Sequence, residues 1–230
     1  MYTYYKHEIQ VPMGNVKIGC ELTIPLGAKG IIIFCQADGN SRYSPNCRMA
    51  ARSLNRNGFG TLLPELLTPE ESNGDGAQDT DLLTARLMSV TEWLMDRDWF
   101  HRYRLGYYAC GSGAAFALEA AAYLPEAVDA VVCRSGRPVL KEELFQQIEA
   151  PVLLVVAAMD GQALQLNRDA MKKMKGERQL IVLEGTTSSF GEGRMEQVMG
   201  MVRSWFVSHM QMAEKLNFTG KETVKSGYGG

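Results

Sequence analysis

Residues 104–118, RLGYYACGSGAAFAL, decide how this chain folds. Arg104 to Cys110 is an apolar run of the kind that forms a strand covered on both faces. Gly111-Ser112-Gly113 permits a sharp turn, and an alanine-rich helix former follows directly. When a strand enters a helix this abruptly the two backbones pass closely, which requires small residues two before and two after the apex. Ala109 and Gly113 meet that requirement if Gly111 is the apex, so the frame reads Ala109-Cys110-Gly111-Ser112-Gly113. The apex is where such a turn lifts one side chain above the sheet. Here that position carries none.

On both sides of this stretch the chain alternates strand and helix. Tyr4 to Val11 and Val16 to Ile24 alternate apolar and polar residues across Pro12-Met13-Gly14-Asn15, which predicts an antiparallel hairpin at a sheet edge. Gly30 to Cys35 is continuously apolar and β-branched, so the sheet interior starts there. A helix is expected from Asn46 to Asn57, stopped by Asn57-Gly58, and a short strand from Gly60 to Leu63. Glu65 to Asp79 is acidic and glycine-rich without the ordered carboxylate spacing of a calcium loop, and reads as a solvated surface loop. Asp79 to Asp96 is an amphipathic helix with Leu82, Leu83, Leu87, Val90, Trp93 and Leu94 on one face.

After the central turn, Ala130 to Cys133 and Pro151 to Ala157 are buried strands separated by a helix around Val139 to Gln147. Gly161 to Met174 is helical, Gln179 to Leu183 is the last strand, and Arg194 to His209 is a closing helix. The alternation predicts an α/β fold with a doubly wound, mostly parallel sheet, an N-terminal antiparallel hairpin and no large cap domain. One domain over 1–211 is expected, with a polar, glycine-ended tail over 212–230 that reads as disordered or a tether.

With 46% hydrophobic residues, 230 residues suffice for a full core. A net charge of −2 gives no global attraction to nucleic acid or to an anionic membrane, so neither is expected as a partner. No stretch reaches the ~18 apolar residues that span a bilayer. The five cysteines lack CxxC spacing and three belong to apolar strands, which argues against disulfides and metal and for a reducing, cytoplasmic setting. No cofactor is expected.

From about Val11 to Met210 the chain resembles the dienelactone hydrolase group of α/β-hydrolases, in particular bacterial members found alongside or fused to phosphoribosyltransferases. The segments that carry the resemblance include LTIPLGAKGIIIF, SRYSPNCR, FGTLLPELLT, GYYACGSGAAFALEAAAYLPEAVDAVVCRSGRP, APVLLVV and WFVSHM. The resemblance implies a triad of nucleophile, acid and histidine, each after a strand. The acid position is filled by Asp160. The nucleophile position is Gly111. The base position falls in Gly185-Thr186-Thr187-Ser188-Ser189-Phe190, where Ser188 replaces the histidine. The oxyanion region, Gln36-Ala37-Asp38-Gly39, carries a carboxylate that would oppose a developing oxyanion.

A shifted frame would make Ser112 the nucleophile, but a serine needs a base, and His7, His101 and His209 all lie away from the last-strand loop. Cys110 is a second alternative, since true dienelactone hydrolases use cysteine, although its frame puts bulky Tyr108 at a small position. Either would pair with Asp160 in a working ester or lactone hydrolase. The first expectation is instead a non-catalytic relative. Its cleft would hold a small anionic ligand through Gln36, Asp38, Arg42, Gly111, Arg137 and Ser188, or would have turned structural. Arg42 and Arg137 have an equal alternative role in tying loops by salt bridges, for example to Asp38 or Asp160. A protein partner reached through the tail and self-association complete the expected partners.

Overall fold

The computed structural model describes residues 4–37, 43–187, 190 and 192–210. Eight strands form one sheet: β1 (Tyr4–Met13), β2 (Val16–Pro25), β3 (Gly30–Cys35), β4 (Gly60–Pro64), β5 (Arg104–Cys110), β6 (Ala130–Arg134), β7 (Val152–Ala157) and β8 (Arg178–Leu183). Their order is β1-β2-β4-β3-β5-β6-β7-β8. β1 and β2 pair antiparallel, β2 joins β4 antiparallel, and every pair from β4 to β8 is parallel. The expected doubly wound sheet with its N-terminal hairpin is what forms.

The helices are α1 (Pro45–Arg56), α2 (Pro69–Ser72), α3 (Thr80–Met95), α4 (Gly113–Tyr123), α5 (Glu142–Phe145), α6 (Gly161–Lys173) and α7 (Glu192–His209). Strand side chains alternate between two cores, as a period of two demands. Ile31, Ile33, Tyr107, Ala109 and Val131 face α3 and α4, whereas Ile32, Phe34, Tyr108 and Val132 face α1 and α7. Central strands β3, β6 and β7 are buried along their whole length, which is why they are apolar without alternation.

Two expectations need correction. Residues 65–79 are not a plain loop: α2 and a 3₁₀ turn, Asp75–Gln78, fold within it. Thr68 and Glu71 form a capping box on α2, and Arg86 of α3 grips the Glu71 carboxylate with both terminal nitrogens at 2.5 and 2.7 Å. Arg86 also donates to the carbonyl of Leu66, so the segment is tied down where its composition alone suggested solvent. The helix expected from Val139 to Gln147 is a single turn, α5, which starts only after Lys141, whose backbone is extended at φ −60° and ψ 142°. All five cysteines are free thiols, and no helix among the described residues is long and apolar enough to cross a membrane.

Candidate active-site cleft

The turn after β5 has the geometry its sequence demands. Gly111 has φ +57°, in the left-handed region that a side chain enters only with strain, and a Cβ built there meets nothing within 4 Å among the described residues. A Cβ at Gly113 would collide with the carbonyl oxygen of Cys35, so β3 and the first turn of α4 pass too closely for any other residue. At Gly136, in the loop after β6, a Cβ would lie 2.6 Å from that of Ala114. The apex is therefore Gly111, with free space above it and close packing on both sides.

Backbone bonds fix that apex. The Gly111 N–H donates to the Arg134 carbonyl at 3.3 Å, and its own carbonyl accepts from the Arg137 N–H at 3.1 Å. Asn167 of α6, fully buried, donates through Nδ2 to the Gly136 carbonyl at 2.8 Å. The loop after β6 thus clamps the turn from one side and is itself held by α6. Ser135 in this loop has φ +48°, one of two non-glycine residues with positive φ among the described residues.

Ser112 is already helical, with φ −64° and ψ −21°, and its exposed hydroxyl makes no capping hydrogen bond. It stands beside the apex, at the start of α4, where the Ala114 and Ala115 N–H groups donate to the Gly111 and Ser112 carbonyls at 3.3 Å and the helix dipole favours negative charge. Arg137 is exposed and forms no ion pair among the described residues, so the alternative role of tying loops to Asp160 is not taken up. Asp160 follows β7 as expected, yet its carboxylate caps α6, accepting from the Ala163 N–H at 3.1 Å. Gln36 accepts through Oε1 from the Cys47 thiol at 2.8 Å, which ties the end of β3 to α1. Asp38, Arg42, Ser188 and Ser189 lie outside the described residues.

Cys110 points to the opposite side of the sheet from Ala109, into a cluster the sequence did not announce. Arg134, the last residue of β6, is only 8% exposed. Its Nε–H donates to the Tyr108 hydroxyl at 3.0 Å and its Nη2 to Cys110 Sγ at 3.3 Å, while the guanidinium lies 5.8 Å from the centre of the Phe190 ring. Burial, and then the neighbouring Cys110, push the Tyr108 hydroxyl well above the ordinary phenol range, so it stays neutral beside the cation. Phe190, buried and with φ +42°, occupies the segment after β8. Burial likewise raises the Cys35 and Cys133 thiols, which leaves both inert in the core. Cys110 alone among the cysteines is partly exposed.

No imidazole approaches this region. His7 is on edge strand β1, and His101 is in the turn before β5. His209 closes α7, its Nδ1–H donating to the Trp205 carbonyl at 2.8 Å and its Nε2 lying 3.0 Å from the Glu177 carboxylate. Among the described residues no cluster of metal-ligating side chains occurs.

The dienelactone hydrolase family model matches residues 20–214. Two Mycobacterium tuberculosis proteins, provisionally named as phosphoribosyl transferases, are 40% identical over 205 residues, covering 88% of this chain and 46% of theirs. The chain thus spans about half the length of these curated relatives. A dienelactone hydrolase from Anabaena variabilis superposes with a TM-score of 0.84 at 35% identity, covering 90% of this chain and 98% of that one. A carboxyl esterase from the fungus Tuber melanosporum, 12% identical, shares the fold with a TM-score of 0.71 over 90% of this chain and 88% of its own. With its turn, its sheet order and these likenesses together, the chain belongs to the dienelactone hydrolase family.

Proposed function

We propose that this chain is a non-catalytic member of its family, whose cleft at the carboxyl ends of β3, β5 and β6 holds a small anionic ligand. The observation that carries the proposal is Gly111: the apex position, with positive φ and open space above it among the described residues, has no side chain to act as nucleophile. Ser188 in place of a base and Asp160 engaged as a helix cap support the same reading. Loss of a triad member removes about 10⁴ to 10⁶ of the rate. What remains suits binding: the start of α4, the Ser112 hydroxyl and Arg137, which has no ion pair among the described residues, can hold a carboxylate or phosphate over the bare Cα.

Two measurements test this. The natural chain is expected to give no turnover of p-nitrophenyl acetate above background, and Gly111→Ser with Ser188→His, assisted by Asp38→Gly, should gain some. Titration with inorganic phosphate should shift the Gly111 and Ser112 amide resonances, and Arg137→Gln should weaken that response. Turnover by the natural chain that disappears in Ser112→Ala or Cys110→Ala would overturn the proposal.

A second reading rests on the 3.3 Å contact between Arg134 and Cys110. A cationic donor on a partly exposed sulfur is the setting in which cysteines react, and a thiol depends less than a hydroxyl on a base. In that reading the chain is an ester or lactone hydrolase working through Cys110. Fast stoichiometric iodoacetamide labelling of Cys110, lost on denaturation, favours it. Labelling no faster than that of the denatured chain counts against it.

A further inference from the structure

α1 carries Arg48, Arg52 and Arg56, each four residues from the next, so their side chains share one face of the helix over about 12 Å. Two like-charged pairs at this spacing repel and weaken the helix by about 0.2–0.5 kcal/mol each. The row lines a groove of about 870 Å³ between α1 and α7, with Arg203 on the facing wall. Among the described residues, four guanidinium groups therefore meet one lining carboxylate, Glu196, in a chain whose net charge is −2.

Among the described residues, intramolecular partners do not absorb this charge. Arg48 reaches Glu21 at 3.6 Å in a neighbouring depression that Arg52 and Arg56 also line, but Glu21 is shared with Lys6 at 3.0 Å. Arg203 donates to the neutral Oδ1 of Asn57 at 3.3 Å. Arg52 and Arg56 are exposed and have no ion pair among the described residues. Below the arginines lie the buried Met195 and Met199, with exposed Met49 and Tyr43 at the side. A groove of this volume suits a small molecule, with charge on its walls and an adaptable thioether floor. Cys110, Gly111, Ser112, Arg137 and Asp160 do not line it, so it is separate from the cleft.

We propose that the α1–α7 groove binds a small molecule bearing two or more phosphate groups and a flat or apolar body. The phosphates sit on Arg52, Arg56 and Arg203, and the body lies on Met195 and Met199. Guanidinium forks match phosphate oxygens, and the row accommodates neighbouring phosphates better than a single one.

Calorimetric titration with ATP, AMP and inorganic tripolyphosphate tests the proposal. ATP should bind saturably, more tightly than AMP, with affinity falling as salt rises. Arg52→Gln and Arg56→Gln should each weaken ATP about tenfold, as loss of one charge-assisted contact predicts. Both variants should keep the native melting temperature, since relief of like-charge repulsion offsets little packing. Arg168→Gln, which removes an equal charge from exposed α6, should leave binding unchanged. Absence of saturable binding by ATP and tripolyphosphate at low salt overturns the proposal. So does equal weakening by Arg168→Gln. Vesicles containing anionic phospholipid distinguish the source of phosphate: capture by vesicles without binding of ATP assigns the groove to a membrane surface and overturns a small-molecule ligand. Phosphate response at Gly111 and esterase gain on reversion are read separately, so either proposal can fail alone.

Discussion

Gly111→Ala and Gly113→Ala, two residues apart, should behave very differently. At Gly111 the added methyl meets nothing, so the penalty is that of an L-residue at φ +57°, about 1–2 kcal/mol. Restricting the unfolded chain returns about 0.4–1 kcal/mol. A net loss of about 1 kcal/mol is expected, or a melting-temperature drop of about 2–4 °C for a domain of this size. At Gly113 the methyl overlaps the Cys35 carbonyl oxygen, which cannot retreat without moving β3 against β5. Overpacking of that kind costs about 3 kcal/mol or more, and soluble expression should suffer. Differential scanning calorimetry or urea denaturation with an unchanged m-value gives the comparison. If Gly111→Ala proved as costly as Gly113→Ala, the apex would be misplaced and Ser112 would return as the candidate nucleophile.

Asp160→Ala should cost about 1 kcal/mol through loss of the α6 cap, measured by denaturation, and should leave Cys110 alkylation unchanged if Asp160 has no chemical role. Arg134→Lys should slow iodoacetamide modification of Cys110 at pH 7, because an ammonium cannot reach both the Tyr108 hydroxyl and Cys110 Sγ in the guanidinium geometry. Acid should loosen residues 65–79. The hydrogen bond from Arg86 draws the Glu71 carboxyl from 4.5 down to about 2, so in that window the unfolded chain binds more protons than the folded one. The stabilisation is fully present above about 4.5 and is lost as pH falls through 2. Glu71→Gln should flatten stability against pH across that window, read from urea midpoints, while lowering stability at neutral pH.

Local pattern announced much of this molecule. β3, β6 and β7 are apolar without alternation because both faces are covered, and the Ala109-to-Gly113 frame placed the apex at Gly111 because tight packing leaves a mark in small residues. The Arg134 cluster left no such mark. Tyr108, Cys110, Arg134 and Phe190 come from three separate segments, and an arginine closing an apolar strand reads from sequence as a solvated strand end. The folded segment over 65–79 did carry a signal, Thr68 followed three residues later by Glu71, which the surrounding acidic and glycine residues obscured. The expected helix over 139–147 shrank because one turn, Leu144 and Phe145, was all the core there could cover. The arginine row on α1 was visible as spacing, but its facing wall on α7 became apparent only once the sheet had brought the two helices together.

The hold on Gly111 has one more consequence. Its N–H and carbonyl are engaged by main-chain atoms of the end of β6 and of the loop that follows, so the bend does not depend on any side chain at its tip. Form and reactivity are thereby uncoupled: a lineage can discard or regain a reactive group at this spot with the surrounding framework already in place. A socket that persists when empty is also a ready starting point for installing chemistry the parent family never performed.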